Sequence, residues 1–352
     1  MSGETAQIAE IANQVSNEIF SRFGWKRVGP KDHNFKAFDI LEEKQSSGDD
    51  ADEDGAGEKP PAAPSAMVER DFPADVVFRY DDPYSGEAIF IHFDLKSYAE
   101  SSLKANTTRK ALRSLARAIR VAENSADWKQ KFAATTSNFS IHGALFVYNH
   151  DNKAPSRVDD FLAKLNSNSV PVPEKKRLYV FTPRRINYLI TLLNDQNALI
   201  AGSQIPKGDE GEVSVYYPYG VRAKPQKPLL PYASAEQLLG PILVLHYRYQ
   251  GRPDRGYVVY YDGPGTAVDE YLYLFEMFFK RGFITDDETV HLRLSNADQN
   301  ALAVFAEARD FFITSYHELP EFKAKMDQIK FHRVTNVVKE FSTVDLGMDR
   351  PT

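Results

Sequence analysis

Two short apolar runs, each meeting an acidic residue at one end, constrain this chain more than any other feature. Asp75-Val76-Val77-Phe78-Arg79-Tyr80 reads as a strand, Asp82-Pro83-Tyr84-Ser85-Gly86 as a turn, and Ala88-Ile89-Phe90-Ile91-His92-Phe93-Asp94 as a returning strand. Such a hairpin opens on Asp75 and closes on Asp94, with Lys96 two residues further on. Strand side chains alternate, so Asp94 and Lys96 share one face and Leu95 turns to the other, into core. A charged pair directly after an apolar strand costs free energy unless a partner such as a metal compensates it. His92, inside the apolar run, reads as a satisfied core histidine.

Hydrolysing a phosphodiester calls for that combination of groups. One or two hard cations must neutralise the phosphate, orient a water and stabilise the leaving oxygen. Mg²⁺ prefers oxygen ligands, few of them protein carboxylates, and keeps several waters. Asp75, Asp94 and the backbone carbonyl of Leu95 are therefore the candidate ligands for Mg²⁺ or Mn²⁺. Lys96 is the candidate for orienting the attacking water or stabilising the phosphate. The triplet Asp-x-Lys is frequent by chance; the strand hairpin around it supplies its meaning.

Elsewhere the pattern is that of an α/β chain. Ile8, Ile11, Ala12, Val15, Ile19 and Phe23 place a helix over residues 6–23, which Gly24 ends. A first strand is expected at 35–41, a helix at 105–121 and a strand at 141–148. Another strand at 177–181 leads through Pro183 into a helix over 186–193. Residues 42–66 carry no large hydrophobic side chain and are dense in Asp, Glu, Gly, Ser and Pro, which predicts a disordered acidic insertion. The proline-rich stretch 223–231 suggests a boundary. A C-terminal α+β domain over 213–352, for recognition or assembly, then follows a domain over 1–200. Its expected strands are 213–217, 242–247, 257–261 and 289–294, with helices at 268–280 and 297–315.

Charge matters chiefly for what it excludes. At −6 overall the chain is no polycation, so nucleic-acid binding requires a local basic patch. Arg109, Lys110, Arg113, Arg117 and Arg120 form a stripe on the helix after the motif, opposite its leucines, where it could meet DNA phosphates. The absence of cysteine removes thiolate metal sites, disulfides and cysteine nucleophiles. With no signal peptide and no membrane-spanning run visible, the expectation is a cytoplasmic protein without a membrane partner.

Phe72-Pro73-Ala74-Asp75 followed by Phe93-Asp94-Leu95-Lys96-Ser97-Tyr98 resembles the signature of the PD-(D/E)xK, restriction-endonuclease-like nuclease superfamily. The element order over the first half also resembles its αβββαβ core; an alanine between Pro73 and Asp75 is a departure. The resemblance implies metal-dependent cleavage of DNA and a further carboxylate from the first helix. Glu18, bordering the apolar face, is the candidate; Glu10 points outward, and Glu100 is a weaker alternative. Ser16–Trp25 and Phe72–Tyr98 are also similar to bacterial nucleases linked to phage defence. That implies a second protein subunit or a homo-oligomer, kept inactive until foreign DNA is sensed. The competing reading is a nuclease fold that binds nucleic acid, or serves as a scaffold, without cutting.

Overall fold

The computed structural model describes residues 3–40, 67–166, 169–218, 229–284, 288–315 and 320–338. Helix α1 (Gly3–Arg22) buries Ile11, Ala12, Val15, Ile19 and Phe20 on one face. It ends at Gly24, whose φ of +82° suits glycine. A Cβ there would meet the Pro231 carbonyl oxygen at 2.4 Å, so the turn also needs glycine for close approach.

Strand β1 (Lys26–Val28) follows, then a hairpin of β2 (Phe35–Ile40) and β3 (Met67–Phe72). The expected acidic insertion, 42–66, lies outside the described residues. Strands β4 (Val76–Asp81) and β5 (Ala88–Tyr98) form the anticipated antiparallel pair. Helices α2 (Ala105–Ala122) and α3 (Ala126–Phe132) precede β6 (Phe139–Asn149), and α4 (Arg157–Ala163) precedes β7 (Leu178–Phe181). Thr182 caps α5 (Pro183–Ala201) by accepting from the Arg185 N–H, with Pro183 in the first turn as expected.

These elements build a five-stranded sheet in the order β1-β4-β5-β6-β7, antiparallel on the β1 side and parallel from β5 onward. Two expectations change here. The strand at 35–41 does not join the core sheet; it pairs with β3 in a separate two-stranded sheet. The third core strand is β1, a three-residue edge strand. The reason lies in β2's alternation: Phe35, Ala37 and Asp39 turn inward onto α2 and α3 while Lys36, Phe38 and Ile40 stay out, so one face suffices to hold it.

The remainder comprises β8 (Gly211–Tyr216), β9 (Leu229–Leu230), α6 (Ala235–Leu239), β10 (Ile242–Tyr249), β11 (Arg255–Tyr261), α7 (Val268–Lys280), β12 (Glu288–Leu294), α8 (Ala301–Ser315), α9 (Pro320–Met326) and β13 (Ile329–Arg333). Its six-stranded sheet runs β13-β12-β11-β10-β8-β9, parallel among β11, β12 and β13. Helices α7, α8 and α9 pack on one face around Phe275, Phe278, Phe305 and Phe312.

The two sheets share a core. One hydrophobic cluster joins Phe78 and Phe93 of the first sheet, Phe20 of α1, Leu189 and Leu192 of α5, and Leu245 and Tyr260 of the second sheet. Thus α1 and α5 lie between the sheets, and α2 covers the first sheet's other face. The seam is also hydrogen-bonded: the Trp25 indole N–H donates to the Ala233 carbonyl (2.6 Å) and the Ala233 N–H to that of Phe23 (3.0 Å). Buried Asp195 on α5 takes an ion pair from Arg293 and a 2.9 Å hydrogen bond from the Tyr260 hydroxyl. Among the described residues no helix is long and apolar enough to cross a membrane.

Candidate active site

The site forms where one strand outruns its neighbour. Val76 faces Phe93 at the end of the β4–β5 ladder, which sets Asp75 opposite Asp94. Asp94 does not end its strand as the sequence suggested. β5 continues to Tyr98 with Leu145–Asn149 of β6 beside it, and its burial changes from complete to partial at Asp94. Alternation puts His92, Asp94, Lys96 and Tyr98 in one row on the α2 side, while Phe93 and Leu95 face the core shared with α1. Asp75, just before β4, brings its carboxylate to this row, where it interacts with Asp94 and Lys96.

Each group is held. The main chain before Asp75 is pinned by three hydrogen bonds: Asp32 N–H to the Asp75 carbonyl (2.9 Å), His33 N–H to that of Ala74 (3.1 Å), and His92 Nε2–H to that of Pro73 (2.9 Å). Because a carbonyl only accepts, His92 carries its proton on Nε2; its buried Nδ1 has no partner. Burial drives its pKa down to about 4, so it is neutral at physiological pH, and it positions the loop through its Nε2 alone. The Leu95 N–H donates to Asp75 Oδ2 at 2.7 Å, fixing that carboxylate against β5. Lys96 Nζ forms an ion pair with Asp94.

The electrostatics are those of a crowded acid pair with one cation. Burial, and then the Asp94 charge, push the Asp75 carboxyl up to about 6 against the help of the Leu95 N–H and Lys96. Burial works to lower Lys96, but Asp94 and Asp75 outweigh it and hold the ammonium above its usual range. The Tyr98 phenol is raised by burial and by Asp94, with Lys96 opposing. This donor set fits a hard divalent cation, the one group that would relieve both the desolvation and the repulsion at Asp75. Among the described residues no cluster of three or more histidine or acidic side chains forms. The further ligands would be the Leu95 carbonyl and water, a set in keeping with Mg²⁺.

The other sequence candidates separate. Glu18 is exposed on α1, the helix across the sheet from the acid row, and it is not among the leading charges acting on Asp75 or Lys96. The basic stripe splits in two. Arg117 and Arg120 both bind the buried Asp39 carboxylate, Arg120 at 2.9 Å, which fastens the β2–β3 hairpin to α2. Lys110 and Arg113 remain exposed, Arg113 donating to the Ser169 carbonyl at 2.8 Å; Arg109 donates to the Asn106 side chain at 3.2 Å. Sequence reasoning did not single out Tyr98 or assign His92 its role, though the two-residue period from Asp94 reaches both.

A family model described as the GAPS4 protein PD-(D/E)XK nuclease domain matches residues 1–185, just over half of the chain and all of the acid row. Comparison with curated proteins and with solved structures found no match. The chain therefore belongs to the GAPS4 family, and its N-terminal region is that family's PD-(D/E)XK nuclease domain, a domain of a phage-defence system.

Proposed function

We propose that this chain cuts DNA by divalent-metal-assisted hydrolysis of phosphodiester bonds in anti-phage defence. The observation that carries the reading is Asp75 opposite Asp94 with Lys96 in the same row, where the β4–β5 pairing ends and β5 continues. A cation bound by the two carboxylates would neutralise the phosphate and make its water a better nucleophile. Asp75 and Asp94 bind and orient, Asp75 held by the Leu95 N–H. Lys96, kept charged by Asp94, offers its Nζ protons to the attacking water or to the charge that builds on phosphate. His92 acts at one remove by holding Pro73.

The DNA contacts in this reading come from Arg109, Lys110 and Arg113; Arg117 and Arg120 are committed to Asp39. An unrestrained, sequence-independent nuclease would damage its own host. The reading therefore includes a second protein subunit, or another copy of this chain, that keeps cleavage silent until foreign DNA is present.

Purified protein incubated with supercoiled plasmid and Mg²⁺ or Mn²⁺ tests it, with Lys96→Ala as control and an RNA substrate in parallel. Metal-dependent nicking that the variant lacks supports the proposal. Cleavage of RNA alone moves the substrate. If no divalent cation supports cleavage of either, with or without co-expressed neighbouring proteins, the chain is a binding or scaffold subunit.

A further inference from the structure

We infer that Tyr98 is a DNA-binding residue of this site, its hydroxyl donating a hydrogen bond to a phosphate of the strand held at the acid row; the inference rests on the nuclease reading. Tyr98 ends β5 and closes the row that carries His92, Asp94 and Lys96. It follows Lys96 by two strand positions, about 7 Å, on the same face. Its phenol is near enough to feel the charges of both Lys96 and Asp94. A strand whose phosphate sits on the cation and Lys96 therefore comes within reach of the phenol.

The residue is held before any ligand arrives. Tyr98 pairs with Asn149 of β6, and its carbonyl accepts from the His150 N–H (3.2 Å) and from the Asn149 side-chain amide (3.0 Å). Asn149 is itself buried and braced, donating to Asp151 (2.6 Å) and accepting from the Ala154 N–H (3.1 Å). The Tyr98 side chain then packs against the cluster beneath α2. A group fixed in this way loses little further freedom on binding, which favours affinity.

The hydroxyl remains for a ligand. Among the described residues it takes part in no hydrogen bond, although the residue is only partly exposed. A ring packed on the core presents its hydroxyl edge to a strand rather than its face to a base. Burial, opposed by Lys96 and aided by Asp94, holds the phenol above its usual range, so it keeps its proton at neutral pH and stays a donor. Tyrosine hydroxyls are among the groups that bind phosphate oxygens in protein–DNA interfaces. With a divalent cation on the acid pair and Lys96 charged, the acceptor this row attracts is an anion.

The test is Tyr98→Phe in the full chain, which removes the hydroxyl and keeps the ring. In a background silenced by Asp94→Asn, affinity for a short fluorescein-labelled DNA duplex in Mg²⁺ should fall about tenfold, the loss of one hydrogen bond to a charged acceptor. The slope of log K against log salt should not change, because no charge is removed. The thermal midpoint should hold, because no internal hydrogen bond is lost. With Asp94 intact, KM should rise while kcat stays within about threefold, the mark of a contact made before and during the chemical step alike. Affinity and KM equal to the parent's, or a lowered midpoint, would reduce Tyr98 to packing, and the inference falls alone. A fall in kcat with unchanged affinity would overturn the binding role as well. If the Asp94→Asn parent does not bind and the wild type does not cut, the inference falls together with the nuclease reading.

Discussion

Two aspartates in the N-terminal region are taken out of water and treated in opposite ways. Asp39, at an inward position of β2, is 3% exposed and faces Arg117 and Arg120. Burial alone would raise its pKa, but the two guanidinium groups win and hold the carboxyl below the usual range. Asp75 is offered another carboxylate, and burial plus Asp94 raise it to about 6. One site is satisfied and fastens a hairpin to a helix. The other is left short of positive charge, which is how a fold stores affinity for a cation.

The contrast breaks most sharply in activity. Asp94→Asn or Lys96→Ala should lower metal-dependent cleavage on the order of 10³-fold, the scale of losing a group aimed at developing charge. Arg117→Ala should leave the cleavage rate per folded molecule within about threefold, since its partner is Asp39. Single-turnover rates on plasmid would decide; comparable losses in both would erase the distinction between the two regions.

Stability gives the next contrast. Asp39→Ala strands two arginines and should cost about 2 kcal/mol in urea unfolding, less than a fully buried pair because both guanidinium groups reach solvent. The pH signatures should oppose each other. Asp39, with its folded pKa lowered, contributes stability that is present above the unfolded value near 3.8 and is lost as pH falls below it. Asp75, with its folded pKa raised, favours the fold below about 3.8, and that contribution is lost as pH rises to about 6. Asp75→Asn should therefore raise neutral-pH stability by about 1–2 kcal/mol while abolishing cleavage, and Mg²⁺ should no longer stabilise the variant. A variant less stable than wild type at pH 7 would contradict the crowding at Asp75.

Much of this was legible because it is local. The β4–β5 hairpin shows in two apolar runs and a turn, and its period-two row carries Asp94 and Lys96 to one face. What escaped depends on distant partners. Lys26–Val28 has no apolar alternation, and it is a strand only because Val77–Arg79 pairs with it. The 35–40 segment reads correctly as a strand, but its partner, Met67–Phe72, has three consecutive charged residues and no apolar alternation, and sheet membership leaves no trace in periodicity. The stripe on α2 has the right spacing for phosphates, and nothing in that spacing shows that Asp39, 78 positions from Arg117, has claimed two of its five residues. An acid at an inward position of an alternating strand was the one available hint.

A third acid sharpens the comparison with the smallest expected effect. Glu18 borders α1's apolar face in the helical pattern, but the buried face, from Ile11 through Ile19 and Phe20 to Phe23, turns away from it and leaves it exposed. The sheet then stands between α1 and the row of Asp94 and Lys96. A carboxylate at that exposed position, with the sheet between it and the Asp94–Lys96 row, has little to gain from a shared cation. Glu18→Gln should change the Mg²⁺ concentration for half-maximal cleavage by less than about twofold, a difference of less than ~0.5 kcal/mol. A tenfold rise with unchanged folding would mean that α1 moves to bring Glu18 to the metal when DNA binds, and the site would then hold three acids instead of two.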